Sequence, residues 1–120
     1  MNRYTIYCTE EQTKKALELG APISNAVGMI DIVNKKYFFD SKGNFIIIPT
    51  AEQMIGWLRT KGFAFGITEY NEDLNDYVSW QVENKRDKKW YISGDKLKSL
   101  NDAVIAAINA ALDYLLTKNK

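Results

Sequence analysis

Histidine is absent from this chain, and cysteine occurs once, at Cys8. Histidine is the one side chain that titrates near neutrality unaided, the commonest imidazole metal ligand and the usual base for Ser or Cys nucleophiles. Its absence closes most familiar catalytic constellations, and one Cys without His cannot make a zinc signature. Long apolar runs are missing too. None approaches the ~20 residues that span a bilayer, and Met1 to Glu11 lacks the apolar stretch of a signal peptide. The expectation is a cytoplasmic protein with no membrane association, and one unpaired thiol agrees with a reducing compartment. An excess of charge is also missing: 16 Lys and Arg stand against 15 Asp and Glu, for a net +1. The whole molecule therefore has no global pull toward nucleic acid or an anionic membrane.

What remains has the proportions of a globular domain, with 46% apolar and 26% charged residues and only two prolines. At 120 residues the chain is long enough to bury about two thirds of its unfolded surface without disulfides or metal. Residues 1–120 are read as a single domain, with fraying expected at 118–120.

Helix punctuation is explicit. Thr9-Glu10-Glu11-Gln12 and Thr50-Ala51-Glu52-Gln53 are both capping boxes, in which Thr accepts from the amide three residues on and Gln reaches back to the Thr amide. The helices they open end on Gly20 and Gly62, residues that adopt the left-handed conformation favoured at a helix C-terminus. A third helix is expected from about Ser99 to Lys118, with lysine at its negative end.

Between the helices the period shortens to two. Tyr37-Phe38-Phe39 and Phe45-Ile46-Ile47-Ile48 flank the turn residues Asp40 to Asn44, which reads as a β-hairpin. Phe63, Phe65 and Ile67, then Val78, Trp80 and Val82, then Trp90 to Ser93 read as a three-stranded meander. Residues 21–34 fit neither period cleanly and are assigned mostly to loop, with a strand left open near the end. The order α-ββ-α-βββ-α predicts an α+β domain whose antiparallel sheet, hairpin plus meander, packs against helices.

Several of these residues also carry a resemblance. Cys8-Thr9-Glu10-Glu11, Pro49-Thr50-Ala51 leading into Trp57-Leu58-Arg59, Trp80-Gln81-Val82 and the Ala-rich helix from Ala103 to Ala111 resemble a group of short proteins of gut Bacteroidetes and their phages and mobile elements. The resemblance implies a phage or mobile-element setting and no chemistry.

Four places could carry function. Cys8 lies beside the first cap, where the helix dipole could favour a thiolate, but without a base the expectation is a small buried apolar residue. Glu69, Glu72, Asp73 and Asp76 gather before the Trp80 strand. Their spacing matches no Ca²⁺ loop, so a solvated loop is expected, and neither metal nor cofactor is assigned. Lys85, Arg86, Lys88, Lys89, Lys96 and Lys98 outnumber Asp87 and Asp95 over residues 85–98. With Trp90 and Tyr91 inside the stretch, Lys85, Arg86, Lys88, Lys89, Trp90 and Tyr91 are candidate nucleic-acid contacts, although charged hairpin tips also serve only to block strand pairing.

The fourth place is the last helix. Its apolar arc is about 240° wide, where packing on one layer needs little more than 100°. Either the domain covers it on two sides, or the flank carrying Ile105, Leu112 and Leu116 meets another chain. Trp57, off the apolar stripe of the second helix, raises the same question. These four residues are candidate protein contacts. Neither a glycine-rich phosphate loop nor a nucleophile elbow is present. The sequence therefore points to a non-catalytic binding or interaction domain whose partner is itself or another protein. The alternative is a nucleic-acid-binding accessory protein using residues 85–98.

Overall fold

The computed structural model describes residues 6–23, 36–72, 75–87 and 90–118. Both capping boxes form. Thr9 Oγ1 accepts from the Gln12 amide at 3.0 Å while Gln12 Oε1 accepts from the Thr9 amide at 3.0 Å, opening α1 (Glu10–Glu18). Thr50 and Gln53 repeat the exchange at 3.1 and 3.0 Å, opening α2 (Ala51–Thr60). Gly20 and Gly62 follow the two helices at φ of 87° and 99°, so the left-handed exit read from the sequence is present at both. Before α3 (Leu100–Lys118), Ser99 Oγ accepts the Asp102 amide at 3.0 Å, a third side-chain cap.

Among the described residues the strands form two antiparallel sheets rather than one. β1 (Tyr37–Phe39) pairs with β2 (Phe45–Ile47). Asp40 holds the turn between them, its carboxylate accepting the amides of Lys42 at 2.9 Å and Asn44 at 2.8 Å. These donors hold the Asp40 carboxyl below its ordinary pKa, the Asn44 amide foremost. β3 (Phe63–Glu72), β4 (Asn75–Asn84) and β5 (Tyr91–Leu97) make the meander in the order β3-β4-β5. The α-ββ-α-βββ-α order is the expected one. Residues 24–34 of the segment assigned to loop lie outside the described residues.

The stretch read as an acidic loop is corrected in part. Glu69 pairs with Val78 and Glu72 with Asn75, so both strands continue through it, while Asp73 lies outside the described residues. Backbone pairing does not need apolar side chains, and an antiparallel ladder propagates wherever one face stays open to water.

α3 explains the width of its own apolar arc. It packs against all three strands of the meander and also against α1 and α2. Ala103, Ala107, Ile108, Ala111 and Leu112 have no exposed surface. Removing Ile108 or Leu112 from water contributes about 1.5–3 kcal/mol each. The flank without an evident partner in the sequence faces α1. Gln12, itself fully buried, donates its side-chain amide to the Ile105 carbonyl at 2.8 Å and to Asn109 Oδ1 at 3.0 Å. Lys15 meets Asp113 at 2.8 Å at the rim. One residue therefore completes the α1 capping box and ties the helix to α3, with its buried polar atoms paired, as burial requires.

At β5 the meander makes room for an indole. Gly94 pairs with Trp80, and a Cβ at Gly94 would fall inside the Trp80 ring. Only glycine lets the Trp80 ring lie across β5 at this point.

Candidate binding surfaces

Alternation along β1 and β2 sends residues 38 and 46 to one face and residues 37, 39, 45 and 47 to the other. Phe38 and Ile46 are buried, with the Lys14 ammonium 5.4 Å from the Phe38 ring centre. The outer face is also apolar. Tyr37 stacks on Phe45 at 4.6 Å, Phe39 meets Phe45 edge-on at 5.6 Å, and Tyr37 meets Phe39 edge-on at 6.0 Å. These rings pack on one another yet stay open to solvent, Phe39 by 63% and Tyr37 by 45%.

Ile47 extends this face into a cleft of about 300 Å³, whose wall includes Pro22, Ile23, Pro49, Met54 and Trp57. Trp57 is half-buried there, with the Lys61 ammonium 5.5 Å from its ring centre. Of the four residues expected to contact a partner, Trp57 thus joins a surface that the sequence reading did not find. The other three lie on α3. Leu112 is fully buried and is corrected to a core residue. Ile105 and Leu116 are half-buried, and the Ile105 carbonyl is used by Gln12. Leu112 is buried because α1, α2 and the meander all pack on α3.

The basic stretch does not assemble one nucleic-acid platform among the described residues. Lys85 is exposed and its amide donates to the Gly62 carbonyl at 2.7 Å. Arg86 donates from its guanidinium to the Thr60 carbonyl at 2.9 Å, a cation at the negative end of α2, and its aliphatic part lies over Gly62. Both amides at 86 and 87 are held by the buried Asn84 side chain at 2.9 Å. Trp90 is corrected: it packs on Tyr114 at 4.6 Å and on Phe63 at 5.7 Å, against the main core. Tyr91 is 55% exposed and donates its hydroxyl to Gln81 at 3.1 Å. Neighbours on an extended chain point to opposite faces, so Trp90 and Tyr91 cannot form one stacking surface. Lys88 and Lys89 lie outside the described residues.

Cys8 is 5% exposed, with its thiol directed to the Thr50 carbonyl at 3.8 Å. Burial pushes its pKa up to about 12, the reverse of what an activated thiol needs. The helix dipole considered for this cysteine is outweighed by desolvation. No group of His, Cys, Asp and Glu among the described residues is arranged to hold a metal ion, and no described helix is long and apolar enough to cross a membrane.

Comparison with family models, with curated proteins and with solved structures finds no match to the chain. The surfaces themselves carry the functional reading.

The sequence reading missed Tyr37, Phe39 and Phe45 as surface residues. The signal was there: both hairpin strands are apolar at every position, and such a run is expected only where both faces are covered. The hairpin pairs with no third strand among the described residues, so its second face is left open.

Proposed function

We propose that this protein is a non-catalytic interaction domain that self-associates, using the outer aromatic face of the β1–β2 hairpin together with the Trp57 cleft. The observation that carries this reading is the exposure of Tyr37 and Phe39 in one contiguous ring cluster with Phe45. A lone exposed aromatic is ordinary, whereas a connected group beside an apolar cleft is the composition of an interface centre. Aromatic anchors also dominate the energy of most interfaces.

A second copy of the chain is the chosen occupant. The net charge of +1 gives two copies little mutual repulsion, and a small flat face of this kind suits a two-fold contact in which the same residues meet across the axis. A reduced, cytoplasmic setting and a phage or mobile-element origin belong to the same proposal. They are supported by the unpaired buried Cys8 and by the resemblance of the cap and helix motifs.

The alternative of nucleic-acid binding has less behind it, since Arg86 caps α2, Trp90 joins the core and Tyr91 faces the other side of the meander. Sedimentation across a concentration series tests the proposal. The expected result is a rising mass for the wild type and a constant monomer mass for Phe39→Glu. A wild type that stays monomeric at the highest concentration overturns it.

A further inference from the structure

The outer face of the meander also exposes aromatic rings, but it sets them among polar side chains. Its inner residues, Phe63, Phe65, Ile67, Trp80 and Val82, pack with the main core. Residues of the opposite parity, together with Trp80 and Gly94, line a shallow cleft of about 220 Å³ that runs across all three strands. Tyr70 and Tyr91, 43% and 55% exposed, both border this cleft. Between them lie Thr68, Ser79, Gln81 and Asp95.

These polar groups are already cross-linked. Tyr91 donates its hydroxyl to Gln81 Oε1 at 3.1 Å, and the Ser79 hydroxyl donates to Asp95. Gly66 supports the arrangement, because a Cβ there would lie 3.0 Å from the Gln81 side chain. Its absence lets Gln81 lie flat over β3. Groups fixed before binding lose little freedom when a ligand arrives.

Composition then narrows the ligand. Among the described side chains no lysine or arginine lines the cleft, and a phosphate or nucleic-acid backbone there would meet the Asp95 carboxylate. The lining is rich in hydroxyl, amide and carboxylate groups, which an apolar peptide would leave dry and unpaired. What fits is a neutral molecule with an apolar face for an exposed ring and a rim of hydroxyls that both donate and accept. A pyranose has those properties. We infer that the outer face of β3, β4 and β5 is a binding site for neutral oligosaccharide, with Tyr91 and Tyr70 as stacking rings and Gln81, Ser79 and Asp95 as hydrogen-bonding groups. The inference stands apart from self-association, which uses the other sheet.

Titration of the ¹⁵N-labelled full chain with soluble hexasaccharides of glucose (α- and β-linked), N-acetylglucosamine, mannose and xylose tests it. At least one sugar should give saturable shifts centred on the amides of Gln81, Tyr91 and Ser93. Tyr91→Ala should weaken that binding about tenfold or more, and Tyr91→Phe, which keeps the ring, should weaken it less. Because Tyr91 and Gln81 are exposed, both variants and Gln81→Ala should retain the wild-type unfolding midpoint, and Phe39→Glu should bind sugar as the wild type does. Absence of shifts with every sugar up to about 10 mM, a concentration that would reveal even millimolar affinity, overturns the inference. So does binding that survives Tyr91→Ala combined with Gln81→Ala, or shifts that map to another face.

Discussion

The two antiparallel sheets of this protein solve the same problem in opposite ways. In the meander, residues of one parity are mostly apolar and pack with the main core, while the other parity sets Tyr70 and Tyr91 among Thr68, Ser79, Gln81 and Ser93. In the β1–β2 hairpin both parities are apolar, and only Phe38 and Ile46 are buried. Alternation that matches the cover is what folding alone requires. An apolar face beyond that requirement marks a surface kept for something other than the core. The same logic separates the two capping boxes. Gln53 closes its own helix end, whereas Gln12 also holds α3.

The comparison can be broken in four places, taken from the largest expected effect to the smallest. Leu112→Ala removes a fully buried side chain between layers and should cost about 2–5 kcal/mol. Phe39→Ala on the open hairpin should stay within about 0.5 kcal/mol. Urea denaturation of the two variants, read at low protein concentration, checks the contrast. If the two losses are equal, the hairpin face is part of the core.

Gln12→Ala should cost about 2–3 kcal/mol, because it removes the side-chain half of the capping box and leaves the Asn109 side chain and Ile105 carbonyl without their donor. Gln53→Ala, at the exposed box, should cost about 0.5–1 kcal/mol. Thermal unfolding of the pair measures the difference, and equal shifts would remove the tie between α1 and α3 from the account.

Gly94→Ala sets a methyl group against the Trp80 indole and should destabilise by about 1–3 kcal/mol through overpacking. Gly56→Ala, at an exposed helical position with open space around the new methyl, should stabilise by up to about 1 kcal/mol. Guanidinium midpoints of the two variants should therefore move in opposite directions.

Cys8 supplies the smallest effect, visible only in alkali. Its thiol is raised from 9.0 to about 12 by burial. Between those values the unfolded chain has released the proton and the native chain retains it, so stability falls as pH rises through the window. Below about pH 8 this group contributes no pH dependence. Cys8→Ala should flatten the alkaline limb of the stability curve relative to wild type, and an unchanged limb would contradict the buried, protonated thiol. Native wild type should also resist iodoacetamide at neutral pH.

Most of the fold was legible because it rests on local chemistry. Thr9, Gln12, Thr50 and Gln53 announce their helices within four residues, and Gly43 at φ 84° with the Asp40 side chain closes the hairpin turn. What local pattern could not supply was which faces meet. The second role of Gln12 depends on a partner 93 residues away, and the burial of Leu112 depends on α1 and the meander reaching α3 together. Trp90 read as a surface residue because it sits among lysines in the chain, while its ring is taken by Phe63 and Tyr114. The candidate site was half legible. Trp57 stood out by its angle on α2, but the rings beside it were read as strand interior, because a continuous apolar run ordinarily means cover on both faces.

The unfolding free energy of Phe39→Glu, measured at a concentration where the wild type is monomeric, tests the central claim most directly. A charge placed on an open contact face should leave it within about 0.5 kcal/mol of wild type. A loss of several kcal/mol, the cost of forcing a carboxylate into an apolar interior, would show that the domain covers this face itself, and the hairpin would then be core rather than contact surface.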